Sequence, residues 1–182
     1  MTHLDFTTDR LSMQLITRAH AAEAHPLFQD PKLYTYIPNQ PPTLEQLEKQ
    51  YAFWENRDYP DGTEYWLNWS VFEISSQRMI GRVQAGVTKA THEASVAYMI
   101  GSASQGNGYG TEAVEGLIKH CHQQYAVPLF KAWIDTRNAA SIRLVQKLGM
   151  RQVEFIEKAD HFDGQDSDEF VFELDLRRPR AD

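Results

Sequence analysis

The sequence contains very little cysteine and no long apolar run. Its single cysteine, Cys121, cannot form an internal disulfide, so we expect a protein of a reducing, cytoplasmic compartment. The apolar stretch Val96–Ile100 is far too short to cross a bilayer, which takes about 20 residues in a helix. We therefore expect neither a disulfide-stapled fold nor a membrane segment.

Positive charge and metal-ligand patterns are also scarce. The chain has 18 lysines and arginines against 25 aspartates and glutamates, which gives a net charge of -7. Nucleic-acid binding needs a basic surface, so nucleic acid is not an expected partner. His120 and His122 are two residues apart on a predicted helix and point to different faces. The acidic stretch within 159–168 departs from the EF-hand pattern and is predicted to be a hairpin loop, so we expect no metal.

What remains is the composition of an ordinary globular domain. The 182 residues are 42% hydrophobic and 24% charged, a length and balance that suit one domain over 1–182. Apolar alternation predicts strands at 11–15, 65–74, 79–88, 95–100, 128–135, 151–158 and 169–176. Helical spacing predicts helices at 17–28, 44–54, 111–124 and 139–148. The pattern indicates an α+β fold, with a mixed, largely antiparallel sheet of about seven strands flanked by about four helices.

Two helix ends carry local signals. Thr43 and Gln46 match a capping box, in which each side chain satisfies a free backbone N–H of the other. Gly149 follows the last predicted helix and suits a left-handed C-terminal position, with Met150 packing back on Val145.

A glycine-rich loop between a strand and a helix carries the clearest chemical signal. It reads Gln105-Gly106-Asn107-Gly108-Tyr109-Gly110-Thr111. Its glycines let the backbone approach a ligand, and its N–H groups together with the start of the following helix form an anion site suited to a pyrophosphate. The alternative is a tight turn without a ligand. The loop lacks the lysine of the P-loop, and its Gly-x-Gly-x-Gly spacing differs from the dinucleotide fingerprint.

With this loop, the chain resembles the GNAT superfamily of acetyl-CoA-dependent N-acetyltransferases over nearly its whole length. Within that superfamily it looks most like the branch of ribosomal-protein N-terminal acetyltransferases. Gln105, Gly108 and Gly110 fill the family motif Gln/Arg-x-x-Gly-x-Gly/Ala. The segment 135–141 followed by 147–150 is similar to the family's Asn-x-x-Ser … Lys-Leu-Gly-Phe segment.

The resemblance implies that acetyl-CoA binds as co-substrate. The strand backbone at Met99 and Ile100 would pair with pantetheine, and the loop N–H groups would hold the pyrophosphate. Asn138 would contact the pantetheine arm, and an N-cap role for the same side chain is compatible with this. The implied cofactor-binding residues are Met99, Ile100, Gln105, Gly106, Asn107, Gly108, Tyr109, Gly110, Thr111 and Asn138.

The catalytic groups are less well defined by sequence. Ser141 lies one helical turn after Asn138, so both side chains can face the thioester sulfur; the alternative is that Ser141 only fills a helix face. The family often has a tyrosine acid four residues later, where this chain has Val145. For the base that takes the amine proton, we first expect Glu93, with His92 and Asp135 as rivals; a plain turn residue is the alternative for Glu93.

We expect an enzyme that transfers an acetyl group from acetyl-CoA to a primary amine by direct attack in a ternary complex. The acceptor is either a protein N-terminus or a small-molecule amine, and family members frequently form homodimers. The competing hypothesis is a GNAT-fold protein that binds CoA without catalysis and acts as a sensor or interaction partner.

Overall fold

The computed structural model describes residues 4–177, which form one eight-stranded sheet and four α-helices. The helices are α1 (Ala21–Leu27), α2 (Leu44–Trp54), α3 (Tyr109–Tyr125) and α4 (Ala139–Lys147). The strands are β1 (Phe6–Thr7), β2 (Leu11–Leu15), β3 (Glu64–Glu73), β4 (Met79–Thr88), β5 (Glu93–Ile100), β6 (Leu129–Asp135), β7 (Arg151–Phe162) and β8 (Gln165–Asp175). Within residues 4–177, no helix has the length and apolar character needed to traverse a bilayer.

The sheet confirms the predicted α+β class and its mixed, largely antiparallel character. The strand order is β1-β2-β3-β4-β5-β6-β8-β7, and β5–β6 is its one parallel pair among the described residues. The prediction of about seven strands missed β1, because two residues are too few to show alternation.

Each face of the sheet has its own hydrophobic core. On one face, α3 and α4 pack on a large cluster that includes Trp69, Phe172 and Cys121. On the other face, α1 and α2 pack on a smaller cluster that includes Tyr51 and Met99. Burial raises the pKa of the Cys121 thiol to about 12, so this cysteine is a core residue and not a nucleophile.

The parallel pair β5–β6 joins the two halves of the sheet over a very short distance. Its register runs from Glu93 opposite Leu129 to Ser95 opposite Lys131 and goes no further. Beyond Ser95 the two strands separate, so the sheet is open between the second half of β5 and the second half of β6.

The helix ends confirm both local predictions. The Gln46 N–H donates to Thr43 Oγ1 at 3.2 Å, and the Thr43 N–H donates to Gln46 Oε1 at 2.8 Å. Gly149 has φ +84, and the Met150 N–H donates to the Val145 carbonyl at 3.0 Å. That bond is the 6→1 bond of a Schellman motif.

The predicted loop at 159–168 is wrong. β7 continues to Phe162 and β8 begins at Gln165, so only Asp163 and Gly164 form the turn. Both have positive φ, +52 and +73, as a two-residue type I′ hairpin requires, and Asp-Gly is a preferred sequence for it. The acidic residues therefore project from a long two-stranded arm instead of a loose loop.

Candidate active site

A cavity of about 510 Å³ lies between the end of β5 and the start of α4, the helix that follows β6. Four elements surround it: the end of β5, the glycine loop, the start of α4 and the turn around Pro31–Tyr34. Among its lining residues are Lys32, Tyr36, Tyr98, Met99, Ile100, Gln105, Gly106, Gly108, Tyr109, Gly110, Thr111, Asn138, Ser141, Arg143 and Lys147. Of the residues predicted to bind the cofactor, only Asn107 does not line it.

The end of β5 presents an unpaired strand edge to this cavity. Met99 and Ile100 lie beyond the last residue pair between β5 and β6. The backbone groups that face the opening therefore have no strand partner within the described residues. Such an edge can pair with the amide groups of an extended ligand in the manner of an added strand.

The glycine loop delivers the N-terminus of α3 to the cavity. Gly106 and Gly108 both have φ +79, a conformation that L side chains adopt with strain. α3 starts at Tyr109, so its first N–H groups have no partner inside the helix. The helix dipole adds partial positive charge at the same point, so this end of the cavity favours an anion.

The loop is braced by side chains outside the predicted motif. The Gln105 amide donates to the Ile100 carbonyl at 2.9 Å, which ties the loop to β5. Arg10 donates to the Asn107 carbonyl at 3.0 Å, pairs with Glu112 at 2.6 Å and stacks 4.5 Å from the Tyr109 ring. Sequence reasoning did not predict this role of Arg10, because its partners are about 100 residues away in the chain.

The charge around the cavity is opposite to that of the whole chain. Lys32, Arg143 and Lys147 line it, whereas none of its described lining residues is an aspartate or glutamate. A chain with net charge -7 thus concentrates cations beside free backbone N–H groups. This arrangement fits the phosphates of a CoA-type ligand.

Asn138 and Ser141 lie at the start of α4, as predicted. Asn138 Oδ1 accepts the Ser141 N–H at 3.1 Å, so Asn138 is the N-cap, and its amide nitrogen has no hydrogen-bond partner within residues 4–177. The Tyr98 hydroxyl donates to the Ser141 carbonyl at 3.4 Å, and burial raises the pKa of Tyr98. Val145 is fully buried in the core, so α4 offers no acid there.

None of the three residues that the sequence suggested as the base lines the cavity. Glu93 begins β5, at the closed end of the β5–β6 pair, and lies 3.4 Å from Lys131; the structure does not bring it to the cavity. His92 Nδ1 contacts the Tyr125 carbonyl at 3.1 Å. Asp135 is buried, and although burial works to raise its pKa, hydrogen bonds from Arg137 and Ser167 hold that pKa below its usual range.

Glu169 is a carboxylate that sequence reasoning overlooked. It stands directly opposite Asp135 in the β6–β8 register, so both side chains lie on the same face at the end of the opening. Glu169 is half-buried, and its carboxylate has no hydrogen-bond partner within residues 4–177. Burial, followed by the nearby Asp160 and Asp135 carboxylates, raises the pKa of Glu169. Only the strand register reveals this position, because Glu169 is 34 residues from Asp135 in the sequence.

The fold and the cavity together define a class of protein: an α+β domain whose sheet opens between two parallel strands onto a glycine loop. A family model for the acetyltransferase (GNAT) domain matches residues 10–151. The chain therefore belongs to the GNAT family of acetyl-CoA-dependent N-acetyltransferases. The predicted family, fold class and enzyme class are confirmed.

Solved structures agree with this assignment at the level of the fold. A GNAT-family acetyltransferase from Bacillus anthracis superposes with a TM-score of 0.82 and 17% identity, covering 96% of this chain and 99% of that one. A ribosomal-protein-S5-alanine acetyltransferase from Vibrio fischeri gives 0.81 and 18%, covering 94% and 96%. RimL, a ribosomal L7/L12 α-N-protein acetyltransferase solved with coenzyme A, gives 0.83 and 14%, covering 93% and 96%. A search of curated proteins finds no significant match to the sequence.

Proposed function

We propose that this protein transfers an acetyl group from acetyl-CoA to a primary amine while both are bound. The observation that carries the proposal is the cavity itself, which joins an open strand edge, a helix N-terminus and three cations. A CoA-type ligand has amide groups that match the strand edge and phosphates that match the helix N-terminus and the cations. RimL, whose fold is similar, was solved in complex with coenzyme A.

The binding roles follow from where each residue lies. The strand edge at Met99 and Ile100 pairs with amide groups, and the N–H groups of Gly106–Thr111 hold phosphate oxygens. The Asn138 amide nitrogen donates into the cavity while its oxygen caps α4. Gln105 and Asn107 act through the loop shape, since their side chains bond to backbone carbonyls.

Glu169 replaces Glu93 as the proposed base. An alkylamine has a pKa near ~10.4 and is mostly protonated at neutral pH, so a proton must be removed before attack. Glu169 lies on the sheet face opposite α3 and α4, at the open end of β6. Its ionised carboxylate accepts the ammonium proton, directly or through a water molecule.

Acetyl-CoA, when bound, supplies a thioester whose carbonyl carbon the amine attacks and whose thiolate departs. A thiol has a pKa near ~8.5, so its thiolate leaves with little assistance. The Ser141 and Tyr98 hydroxyls lie at the cavity wall and can donate a proton to it. An acid at position 145 is therefore not required.

The acceptor belongs to one of two kinds, a protein N-terminus or a small-molecule amine. Several structures with a similar fold are ribosomal-protein acetyltransferases, and this likeness of fold supports the first kind without excluding the second. We call the sheet face that carries Glu169 the acceptor face. Ser95, Ala97 and Trp133 are exposed on this face beside the opening, which leaves room for either kind of acceptor. We further propose that the protein works in the cytoplasm, and a homodimer remains a prediction.

The test is calorimetric titration with acetyl-CoA, with NAD and ATP as controls, followed by an amine screen that detects free thiol. We expect saturable binding of acetyl-CoA alone and thiol release with at least one amine. Absence of acetyl-CoA binding would contradict the proposal. Binding without thiol release from any amine would favour a CoA-binding protein without catalysis, a role that Val145 at the family's tyrosine position also favours.

A further inference from the structure

Arg82 has an unusual environment for an arginine of this chain. It lies in the middle of β4, and its guanidinium stacks 4.9 Å from the Trp54 ring and 5.3 Å from the Phe28 ring. Every other arginine among residues 4–177 is exposed, whereas Arg82 is partly buried against the α1–α2 core. This face is opposite to the one covered by α3 and α4.

The guanidinium has no anionic partner. The Arg82 side chain makes no hydrogen bond or ion pair with any residue from 4 to 177, although it carries five N–H donors. Arg10, Arg18, Arg137 and Arg177, which are more exposed, each pair with a carboxylate. Burial lowers the pKa of Arg82. A partly buried cation without a counter-ion is costly, so a ligand anion is the expected partner.

Buried polar atoms on the same face also lack partners. Ser70 stands opposite Arg82 in the β3–β4 register, and its Oγ is buried without a hydrogen bond. The Tyr51 hydroxyl is likewise buried and unbonded, and the Tyr51 ring lies 5.6 Å from the ring of Trp54, on which the Arg82 guanidinium stacks. Tyr51 and Ser70 are both fully buried. The cation is thus accompanied by hydroxyl donors that an oxyanion can use.

The position of Arg82 relates it to the reaction. Arg82 stands opposite Met99 in the β4–β5 register, and Met99 lines the cavity. On the far side of the opening, Glu169 stands opposite Asp135. Arg82 and Glu169 therefore lie on the same face, on either side of the opening. Three strand-to-strand steps separate them, and each step is about 4.8 Å or more. A positive group on one side and a negative group on the other complement a zwitterion.

We propose that Arg82 binds an oxyanion carried by the amine acceptor, so that the acceptor is a small amine with a carboxylate or a phosphate. The proposal rests on the proposed acetyl transfer. Arg82 contacts the oxyanion and holds the acceptor while Glu169 faces its amino group. Since Arg82 lies outside the cavity that is assigned to the CoA-type ligand, it is not needed for binding of that ligand.

The experiment compares three matched amines: β-alanine with a carboxylate, O-phosphoethanolamine with a phosphate, and ethanolamine with neither. For the wild type, kcat/KM is expected to be about 10- to 100-fold higher for at least one of the two anionic amines than for ethanolamine, the range of a charged hydrogen bond. Which anionic amine is preferred distinguishes carboxylate from phosphate. Arg82→Gln should abolish the preference and Arg82→Lys should keep part of it, while exposed Arg57→Gln is the matched control.

A binding measurement keeps the test independent of turnover. Calorimetry with the CoA-loaded wild type should detect N-acetyl-β-alanine or N-acetyl-O-phosphoethanolamine and should detect N-acetylethanolamine about 10-fold more weakly or not at all. Equal behaviour of anionic and neutral ligands, or a preference that survives Arg82→Gln, would overturn the proposal. Loss of acetyl-CoA binding by the wild type would instead contradict the acetyl-transfer proposal. If Arg82→Gln does not fold, the preference of the wild type for anionic over neutral ligands, and the part of it that Arg82→Lys keeps, still test the proposal.

Discussion

The two faces of the sheet differ in charge at the point where the sheet opens. On the α3–α4 side, the cavity is lined by Arg143 and Lys147 and by free N–H groups of α3. On the α1–α2 side, Asp135 and Glu169 lie next to each other on β6 and β8. One opening therefore joins a region that favours anions to a region that favours an ammonium group.

This difference would allow one chain to hold two unlike substrates close together. The net charge of -7 describes neither region, because charge is sorted by face and not by position in the sequence. The ligand with phosphates and the ligand with an amine would each meet the face that attracts it. Variants that change one face should leave the other ligand's affinity intact, and the following predictions use that separation.

The largest effect is expected from Glu169→Gln on the acceptor face. Loss of a general base should lower kcat/KM about 100-fold or more, with acetyl-CoA affinity unchanged. Because the pKa of Glu169 is raised and the ionised form is the base, activity should rise with pH through a value above the usual ~4.3, and the variant should lose that step. The measurement is a pH profile of kcat/KM.

Glu173→Gln is the matched control for that profile. Glu173 lies on the same strand and face but sits 3.5 Å from Lys131 at the closed end of the β5–β6 pair. The kcat/KM of the Glu173→Gln variant should equal that of the wild type. Equal rates for the wild type and Glu169→Gln would remove Glu169 from the mechanism.

The next effect is expected from Gly108→Glu on the opposite face. A carboxylate beside the cavity, at φ +79, should weaken acetyl-CoA binding about 100-fold, or about 2.7 kcal/mol. Gly62→Glu is the control, since Gly62 has φ +74 and open space around it but does not line the cavity. Both variants place a glutamate at a similar positive φ, so titration calorimetry isolates the effect of placing the charge beside the cavity. Similar affinities for the two variants would contradict the phosphate assignment of the loop.

Asp135→Asn should affect stability more than chemistry. Asp135 accepts hydrogen bonds from Arg137 and Ser167, so we expect a loss of about 1–3 kcal/mol in the free energy of unfolding. Because the folded pKa is lowered, this stability is present above the unfolded value of ~3.9 and is lost as the pH falls through the folded pKa. Urea unfolding at several pH values should show that dependence in the wild type and not in the variant. Asp163→Asn, at the exposed turn with φ +52, serves as control.

The smallest effect is expected from Lys147→Gln. Lys147 is exposed, so removal of its charge should weaken acetyl-CoA binding only about 3- to 10-fold at low salt, and less at high salt. Lys119→Gln provides the comparison, because Lys119 pairs with Glu115 at 2.9 Å and lies outside the cavity. A salt-independent loss would show that Lys147 acts through packing and not through charge.

Features with a local cause were predictable from the sequence. The capping box at Thr43, the left-handed Gly149 and the glycine loop depend on residues within a few positions of one another. The family likeness rests on the same kind of short motif. The hairpin turn at Asp163–Gly164 also has a local signal, but the surrounding acidic residues obscured the long strands.

Features that depend on strand register could not be predicted. Glu93 is the first residue of β5, the strand that borders the cavity, but the cavity lies at the other end of that strand, and at Glu93 β5 and β6 are still paired. Arg82 and Glu169 become neighbours of the opening only through β4–β5 and β6–β8 pairing. The bracing by Arg10 likewise needs the fold, since Asn107 and Glu112 are distant in sequence.

The short β5–β6 contact has a consequence for the energetics of the whole molecule. Only the residues from Glu93 to Ser95 pair across it, so the sheet consists of two hairpin-rich halves joined by few direct hydrogen bonds. A ligand seated between the halves supplies contacts that the strands themselves lack, and its binding free energy adds to the stability of the folded state. Amide exchange near Met99 and Ile100 should then slow as the concentration of acetyl-CoA increases, and the melting temperature should rise with it. In this fold, acetyl-CoA would take the place of a strand between the two halves of the sheet, and its concentration would affect the stability of the folded state.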